Sequence, residues 1–597
     1  MTGWRTRLFQ RRLPAWLHLI VLLGVSLLAY GLLAPTLGFF WDDWAFSWIS
    51  RTYGADGLSR YFSTNRPYWG LIYQVTTALL GQEPLRWQIF GIFWRWASAA
   101  ALWGVLRLVW QKHPEAAGWV SLIFLVYPGF DQQAIAITYG HFFLVLTCLF
   151  SSWLFTLLAL RGGSRWAWVH TTLALLLSFI NLITLEYFFL LELLRAPLIW
   201  LALPAGADKQ RRFLRAVLPY LALFMLMTLW RAFLFPYQTH NYQPAVLEAL
   251  RASPGNALAV LASTIAGDLW KVTFSAWARI FSLPDPAVFG SRSNQVLTGL
   301  VILLTAGLLL WLLLHPRGAQ SRRAWALPAV GLGAGALLIA GWPFWLTGLQ
   351  VGLVFANNRF TLPFILGVSL LLGGLLGLLP ARAWAKALLL SVVVSIAAGL
   401  HFQAASSYRR DTTTTANFLW QLTWRIPSLK AGTAVLTNDM PILYSSDNSL
   451  TAPLNWTFAP DNRSRNMSYI LYYPSIRLQT GLNNMQPGAP IQQDYLAATY
   501  QGRTDQVLLV VYEPPGCVRV HVPQVDAANP LLAPILRDLA AASDPSVITF
   551  SRKHAPPVEV YPHEPGRGWC YHFQLADLAR QQGDWEQVAA LAERAFA

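Results

Sequence analysis

The sequence predicts a polytopic α-helical membrane protein of about eleven transmembrane helices, followed by a C-terminal extracytoplasmic α/β or α+β domain that ends in a helical hairpin. Three observations lead there. Of the 597 residues, 55% are hydrophobic and only 12% charged, too apolar a balance for a surface bathed in water. Apolar runs such as Val296–Leu314 match the roughly 20 residues a helix needs to cross hydrocarbon. After Phe402 the long apolar runs stop, and short β-branched stretches appear between Pro, Gly, Asn and Asp.

Taken between charged or Pro/Gly breaks, the apolar runs place spans near Ala15–Pro35, Leu85–Trp110, Gly118–Tyr127, His141–Leu160, Trp166–Leu185, Glu186–Leu203, Phe213–Phe235, Val296–Leu314, Ala324–Leu346, Asn358–Leu379 and Ala387–Phe402. Gly118–Tyr127 is short for a bilayer, and the Leu185/Glu186 junction leaves almost no loop, so a re-entrant or broken pair is the alternative at each. No clean small-x-small cleavage site follows the first run, which therefore reads as an uncleaved helix.

With a cytoplasmic N-terminus, every inner segment is basic. These segments hold Arg5, Arg7, Arg11 and Arg12, then Lys112, Arg161 and Arg165, Lys209 with Arg211, Arg212 and Arg215, then Arg317, Arg322 and Arg323, and finally Arg382 and Lys386. The outer connections Pro128–Gly140, Leu185 and Thr347–Asn357 have no Lys or Arg, so the positive-inside rule selects this orientation in the plasma (inner) membrane. An odd number of spans puts the tail outside. The net charge of +16 is then topological, and no nucleic-acid partner is expected.

The expected domains are a transmembrane module, residues 1–405, a helical linker, 406–430, a mixed α/β domain, 431–565, and the hairpin, 566–597. The long outer loops 36–84 and 236–295 contain amphipathic stretches such as Ala257–Trp270 and read as helices on the outer leaflet. Strands are expected at Ala434–Thr437, Val507–Tyr512, Val518–Val522, Val547–Phe550 and Val558–Tyr561. Cys517 and Cys570 could pair only if this region is extracytoplasmic, whereas Cys148 lies in an apolar run. Tyr571, Ala576, Leu578-Ala579, Gly583-Asp584-Trp585 and Ala589-Ala590 resemble one tetratricopeptide hairpin, which must dock on something to bury its face.

Ionisable residues at predicted span borders gather on the outer side, where a charge has a solvation cost and therefore invites a functional reading. Asp42 and Asp43 open the first outer loop within Phe39-Phe40-Trp41-Asp42-Asp43-Trp44. Asp131 lies in the second loop, His141 begins a span, Glu186 sits at an outer turn, and Arg95, Arg231 and Arg359 fall in outer halves of spans. Carboxylates beside arginines suit a reaction in which guanidinium grips a lipid phosphate and a carboxylate takes a hydroxyl proton. Asp42 and Asp43 are the catalytic candidates and also candidate ligands for a divalent cation, magnesium or manganese, should the reaction use one. Asp131, His141, Glu186, Arg231 and Arg359 are the substrate-binding candidates. The bland alternatives are an interfacial aromatic belt around the acids, a turn for Asp131, a packed ring for His141, a helix cap for Glu186 and headgroup snorkelling for the arginines. No P-loop, Rossmann fingerprint, metal-spaced Cys/His set or nucleophile elbow occurs in a credible context, so ATP-driven transport by this chain is not expected.

The order of motifs resembles GT-C membrane glycosyltransferases, particularly the protein O-mannosyltransferase-like branch and its tetratricopeptide-bearing relatives. The acidic pair is followed by Asn65-Arg66-Pro67-Tyr68-Trp69 and Gly81-Gln82-Glu83-Pro84-Leu85, then by Tyr127-Pro128, Gln133-Ala134-Ile135-Ala136 and Gly140-His141. Thr184-Leu185-Glu186, Arg359-Phe360-Thr361-Leu362-Pro363 and Arg410-Asp411 follow in order. Gln133 and Leu185 stand where the branch has Glu and Lys. The resemblance covers roughly residues 1–424 and the terminal hairpin. It implies transfer of a sugar from a polyprenyl-phosphate donor to an extracytoplasmic protein, glycan or lipid acceptor. By position, Asp42 or Asp43 would be the base, with Arg359 and Glu186 near the donor. The expectation is thus an inverting, GT-C-like membrane glycosyltransferase. A transporter or flippase for a lipid-linked glycan and a non-catalytic scaffold are the alternatives; the first would show internal repeats and polar groups near the midplane, neither of which the sequence shows.

Overall fold

The computed structural model describes residues 14, 16–161, 165–235, 245–282, 289–314, 323–478 and 485–596. Arg5, Arg7, Arg11, Arg12, Arg317 and Arg322 lie outside the described residues. The chain forms two compact units. One comprises Met1–Pro35, Thr64–Trp69 and Trp87–Ser406, and the other Thr36–Ser63, Gly70–Arg86 and Ser407–Ala597.

The protein is an integral membrane protein by its helices. Among the described residues, ten are long and apolar enough to cross a bilayer: Leu17–Thr36, Pro84–Val109, Ala136–Arg161, Ala167–Thr184, Lys209–Leu234, Pro254–Phe281, Ser291–Leu314, Arg323–Thr347, Asn357–Leu378 and Ala383–Arg425. Leu218, Phe233, Ile302 and Leu303 on these helices are each more than half exposed, as side chains that face lipid are.

The set differs from the eleven expected runs in three places. Gly118–Tyr127 belongs to the short helix Pro114–Leu125, which starts with proline in its first turn and ends ahead of Pro128. Glu186–Leu203 is a 3₁₀ segment, Glu186–Leu194, continued by the helix Arg195–Ala202. Conversely, the outer loop 236–295, expected to hold interfacial helices such as Ala257–Trp270, contains Pro254–Phe281, which is of spanning length.

Two packing devices hold this first unit. Helices Arg323–Ala340 and Ile365–Leu378 approach through glycine: a Cβ at Gly333 would lie 2.5 Å from the Leu371 amide nitrogen, so only a bare Cα permits the contact. Glu192 and Arg195, both buried, form an ion pair at 2.6 Å. Arg195 also donates to Thr156 and Ser152, and Ser178 donates to Glu192. These added hydrogen bonds offset part of the desolvation cost of burying the pair.

In the second unit, the strands Tyr469–Tyr472, Thr433–Thr437 and Val507–Val511 pair in parallel, and Arg519–Val520 adds an antiparallel edge. Every residue of the three parallel strands is buried, the near-continuous apolar pattern of strands covered on both faces. The unit also holds a three-stranded sheet, Asn466–Met467, Ala498–Arg503 and Pro490–Tyr495, and a two-stranded ladder of Ser428–Leu429 with Ile548–Thr549. Val558–Tyr561 is a turn and not a strand, because the Pro557 carbonyl accepts the N–H groups of both Val560 and Tyr561.

Helices Trp569–Gln582 and Trp585–Phe596 form the terminal hairpin, reversing at Gly583, whose φ of 77° suits glycine. Three ties dock it: the Cys517–Cys570 disulfide, an Arg425–Asp577 ion pair at 2.6 Å, and Gln574 donating to the Val518 carbonyl at 2.6 Å.

Candidate functional site

In the first unit, Glu186 draws two arginines together. Helix Ala167–Thr184 stops at Leu185, whose extended backbone releases Glu186 from the preceding turn. Arg66 donates to Glu186 through Nε, at 3.2 Å, and through Nη2, the two-pronged fit that guanidinium makes with carboxylate. Arg231 stands 3.7 Å from the same carboxylate. It also donates to the carbonyls of Leu182 and Ile183, at 3.2 and 3.3 Å, placing a cation on the carbonyl end of that helix. Burial alone would raise the Glu186 pKa, but the charges and hydrogen bonds of Arg66, then the charge of Arg231, outweigh it and bring the pKa down to about 2. Glu186 is therefore a fixed anion between two cations, and the trio carries one net positive charge.

A second cluster stitches the 128–132 segment to the start of helix Asn357–Leu378. Asp131 accepts from Arg279 at 2.7 Å and from the Asn358 amide. Arg279 also donates to the Pro128 carbonyl at 3.0 Å, Gln132 donates to the Ala356 carbonyl and to Asn358, and Thr361 donates to the Gly129 carbonyl at 3.2 Å. Both oxygens of Asp131 are thus committed to protein partners. Aromatic rings link the two clusters: Tyr187, next to Glu186, lies 6.2 Å from Phe360, next to Arg359. The Arg359 guanidinium itself sits 4.9 Å from the Phe360 ring.

His141 is fully buried. Its Nδ1 faces the Ile137 carbonyl at 2.5 Å, and the rings of Trp69, Trp87 and Phe90 surround it. Arg95 is likewise buried, donating to the Leu125 carbonyl and to Gln133 beneath the Tyr30 and Phe143 rings. Of the residues singled out in the sequence, Glu186 and Arg231 come together. Asp131 belongs to the second cluster, and His141 is enclosed by aromatic rings.

In the second unit, Asp42 and Asp43 occupy the first turn of helix Asp42–Tyr53, where the helix dipole stabilises their charged form. Their burial differs. Asp43 is 1% exposed, whereas Asp42 is only partly covered. Helix Asp42–Tyr53 packs on helix Asp447–Phe458, with Trp44 edge-on to Trp456 and the Arg51 guanidinium 4.9 Å from the Trp456 ring. Tyr495 packs edge-on to Trp48 and donates to the Asn448 carbonyl at 2.7 Å. Burial, then the negative charge of Asp42, pushes the Tyr495 pKa up, so this phenol keeps its proton.

Sequence reasoning missed Arg66, Arg279 and Asn358 as site residues. Arg66 had a signal in Asn65-Arg66-Pro67 at the start of helix Pro67–Leu80; Arg279 sits in an expected surface helix and offered none. Among the described residues no group of three or more His, Cys, Asp or Glu could hold a metal ion.

No family model and no curated protein matches the chain. Among solved structures it is similar to ArnT from Cupriavidus metallidurans bound to undecaprenyl phosphate, at 13% identity, TM-score 0.33, covering 72% of this chain and 84% of that one. The apo state of the same protein aligns at 13% identity and TM-score 0.26, covering 71% and 83%. At these TM-scores the likeness fixes neither fold nor function.

Proposed function

We propose that the chain is a GT-C-type membrane glycosyltransferase. It transfers a sugar from a polyprenyl-phosphate donor to an extracytoplasmic hydroxyl of a protein, glycan or lipid, with inversion. The observation that carries this reading is the Arg66–Glu186–Arg231 trio. Two guanidiniums from distant segments, fixed by one carboxylate and still net positive, suit a phosphate monoanion or diester that must be gripped while its sugar leaves. Arg359 is placed by the same reading toward the donor, as are His141 and Asp131, the latter two as wall residues and not proton carriers.

Asp42 is assigned the proton-accepting role because it is the partly exposed member of the acidic pair, whereas Asp43 is buried. The acceptor oxygen bonds to the anomeric carbon, and the bond from that carbon to the phosphate oxygen breaks. Polyprenyl phosphate leaves with the electron pair, and the acceptor's proton passes to Asp42. A hydroxyl oxygen becomes strongly acidic only as this bond forms, so an ordinary carboxylate suffices when the proton moves late.

The orientation, N-terminus inside and tail outside, draws on the basic inner segments and on the Cys517–Cys570 disulfide, a bond that persists in oxidising compartments, and it requires an odd number of crossings where the long helices among the described residues number ten. The test is the product. Purified protein given a labelled polyprenyl-phosphate sugar should release one polyprenyl phosphate per sugar transferred, and NMR should show the opposite anomeric configuration in the product. Movement of the intact donor across a vesicle membrane without cleavage would instead establish a flippase.

A further inference from the structure

The backbone just ahead of the acidic pair is held in an unusual shape. Trp41 has φ 48° and ψ −124°, a region that residues with a side chain occupy only where the surroundings impose it. Its N–H donates to the carbonyl of Tyr444 at 3.0 Å. Tyr444 in turn is pinned from helix Ala383–Arg425: one oxygen of Asp411, Oδ2, accepts the N–H groups of Leu443 at 2.7 Å and Tyr444 at 2.8 Å. The Tyr444 ring lies flat on Tyr408, 3.5 Å between centroids, and Tyr408 meets Phe40 edge-on. One helical turn past Tyr408, the Thr412 hydroxyl accepts the N–H of Gly38 at 3.1 Å. Asp411 itself is 5% exposed.

We propose that Asp411 is a positioning residue for the acidic pair: its carboxylate fixes Tyr444, Tyr444 fixes the backbone of Trp41, and that backbone sets the direction in which Asp42 is presented. The inference rests on the reading of Asp42 as proton acceptor. A carboxylate this buried needs hydrogen-bond donors, and the two that Oδ2 finds are neighbouring backbone N–H groups of one loop. Both bonds fall on one oxygen, which joins a loop of the α/β unit to the helix that carries it, and the loop's next carbonyl reaches the residue preceding Asp42. What matters at 411 is therefore where the acceptor oxygen sits and not its full charge.

Two conservative variants separate these properties. Asp411→Asn keeps an acceptor oxygen in the same place. Asp411→Glu keeps the charge but displaces the oxygen by about one C–C bond, about 1.5 Å. Rates of sugar transfer from the polyprenyl-phosphate donor are measured in membranes per unit of accumulated full-length protein, with Asp42→Asn alongside. Misplacement of this order costs about 10- to 100-fold in turnover, so Asp411→Glu should lower kcat by about that factor with the donor KM unchanged, and Asp411→Asn should hold kcat within a few-fold. Unchanged kcat in Asp411→Glu, or loss in Asp411→Asn, overturns the inference while an inactive Asp42→Asn leaves the proton-acceptor reading standing. Full transfer by Asp42→Asn overturns that reading and the inference with it.

Discussion

Arg66 grips Glu186 through both Nε and Nη2 across 120 positions of sequence. One acid stands against two guanidiniums, since Arg231 approaches the same carboxylate. The acid fixes the arginines' geometry, and the excess positive charge is what an anionic substrate group would meet.

Arg66→Ala should weaken donor binding. Hydrogen bonds to charged groups contribute about 1.5–3 kcal/mol, so the donor KM should rise by about 10- to 100-fold, with a smaller change in kcat. Steady-state transfer against donor concentration checks this; an unchanged KM would remove Arg66 from the donor site.

Glu186→Gln gives a pH-dependent effect on stability with a definite sign. The folded-state pKa of Glu186 is about 2, below its ordinary value of 4.5, so the ionised acid stabilises the fold above about pH 4.5 and that contribution is lost as pH falls toward 2. The gap in thermal-inactivation midpoint between wild type and Glu186→Gln should be constant from neutral pH down to about 5 and close below it. A gap that widens on acidification would contradict the assignment.

Much of the membrane unit was legible because hydrocarbon imposes one rule on every span: an unbroken apolar run of fixed length. Val296–Leu314 and Asn358–Leu379 follow it and were placed within a few residues. Glu186–Leu203 does not, since tightening into a 3₁₀ segment is a packing outcome that an apolar pattern does not encode. Pro254–Phe281 carries Asp268, Lys271 and Arg279 among its apolar residues, and these read as an amphipathic surface helix. The site was half legible for a related reason. Glu186 and Arg231 stand out as charges at span borders, whereas Arg66 and Arg279 acquire meaning only from their partners, far away in sequence. In the C-terminal unit, Val507–Val511 announces a buried parallel strand, but Tyr469–Tyr472 has only four residues, too short a run to stand out, and Val558–Tyr561 has strand composition without strand geometry.

The disulfide should carry much of the hairpin's attachment. Closing a loop of 53 residues corresponds to about 4 kcal/mol on the chain-entropy account. Cys517→Ser should therefore lower the thermal or urea midpoint of the solubilised full-length protein, and Cys517→Ser with Cys570→Ser should behave the same. Midpoints equal to wild type would show that Arg425–Asp577 and Gln574 hold the hairpin unaided.

Topology is tested by membrane-impermeant maleimide on single introduced cysteines. Ser551→Cys, on the exposed surface of the α/β unit, should react in intact cells, and Ala205→Cys, beside the basic 209–215 segment, only after permeabilisation. The reverse pattern would place the tail in the cytoplasm and contradict the orientation.

The most direct test of the central claim is transfer of radiolabelled sugar from a panel of polyprenyl-phosphate donors in membranes carrying wild type, Asp42→Asn or Asp43→Asn at equal protein levels. The account predicts label incorporation by wild type and its loss in Asp42→Asn. Incorporation by Asp42→Asn equal to wild type, or none by wild type with any donor, would contradict it.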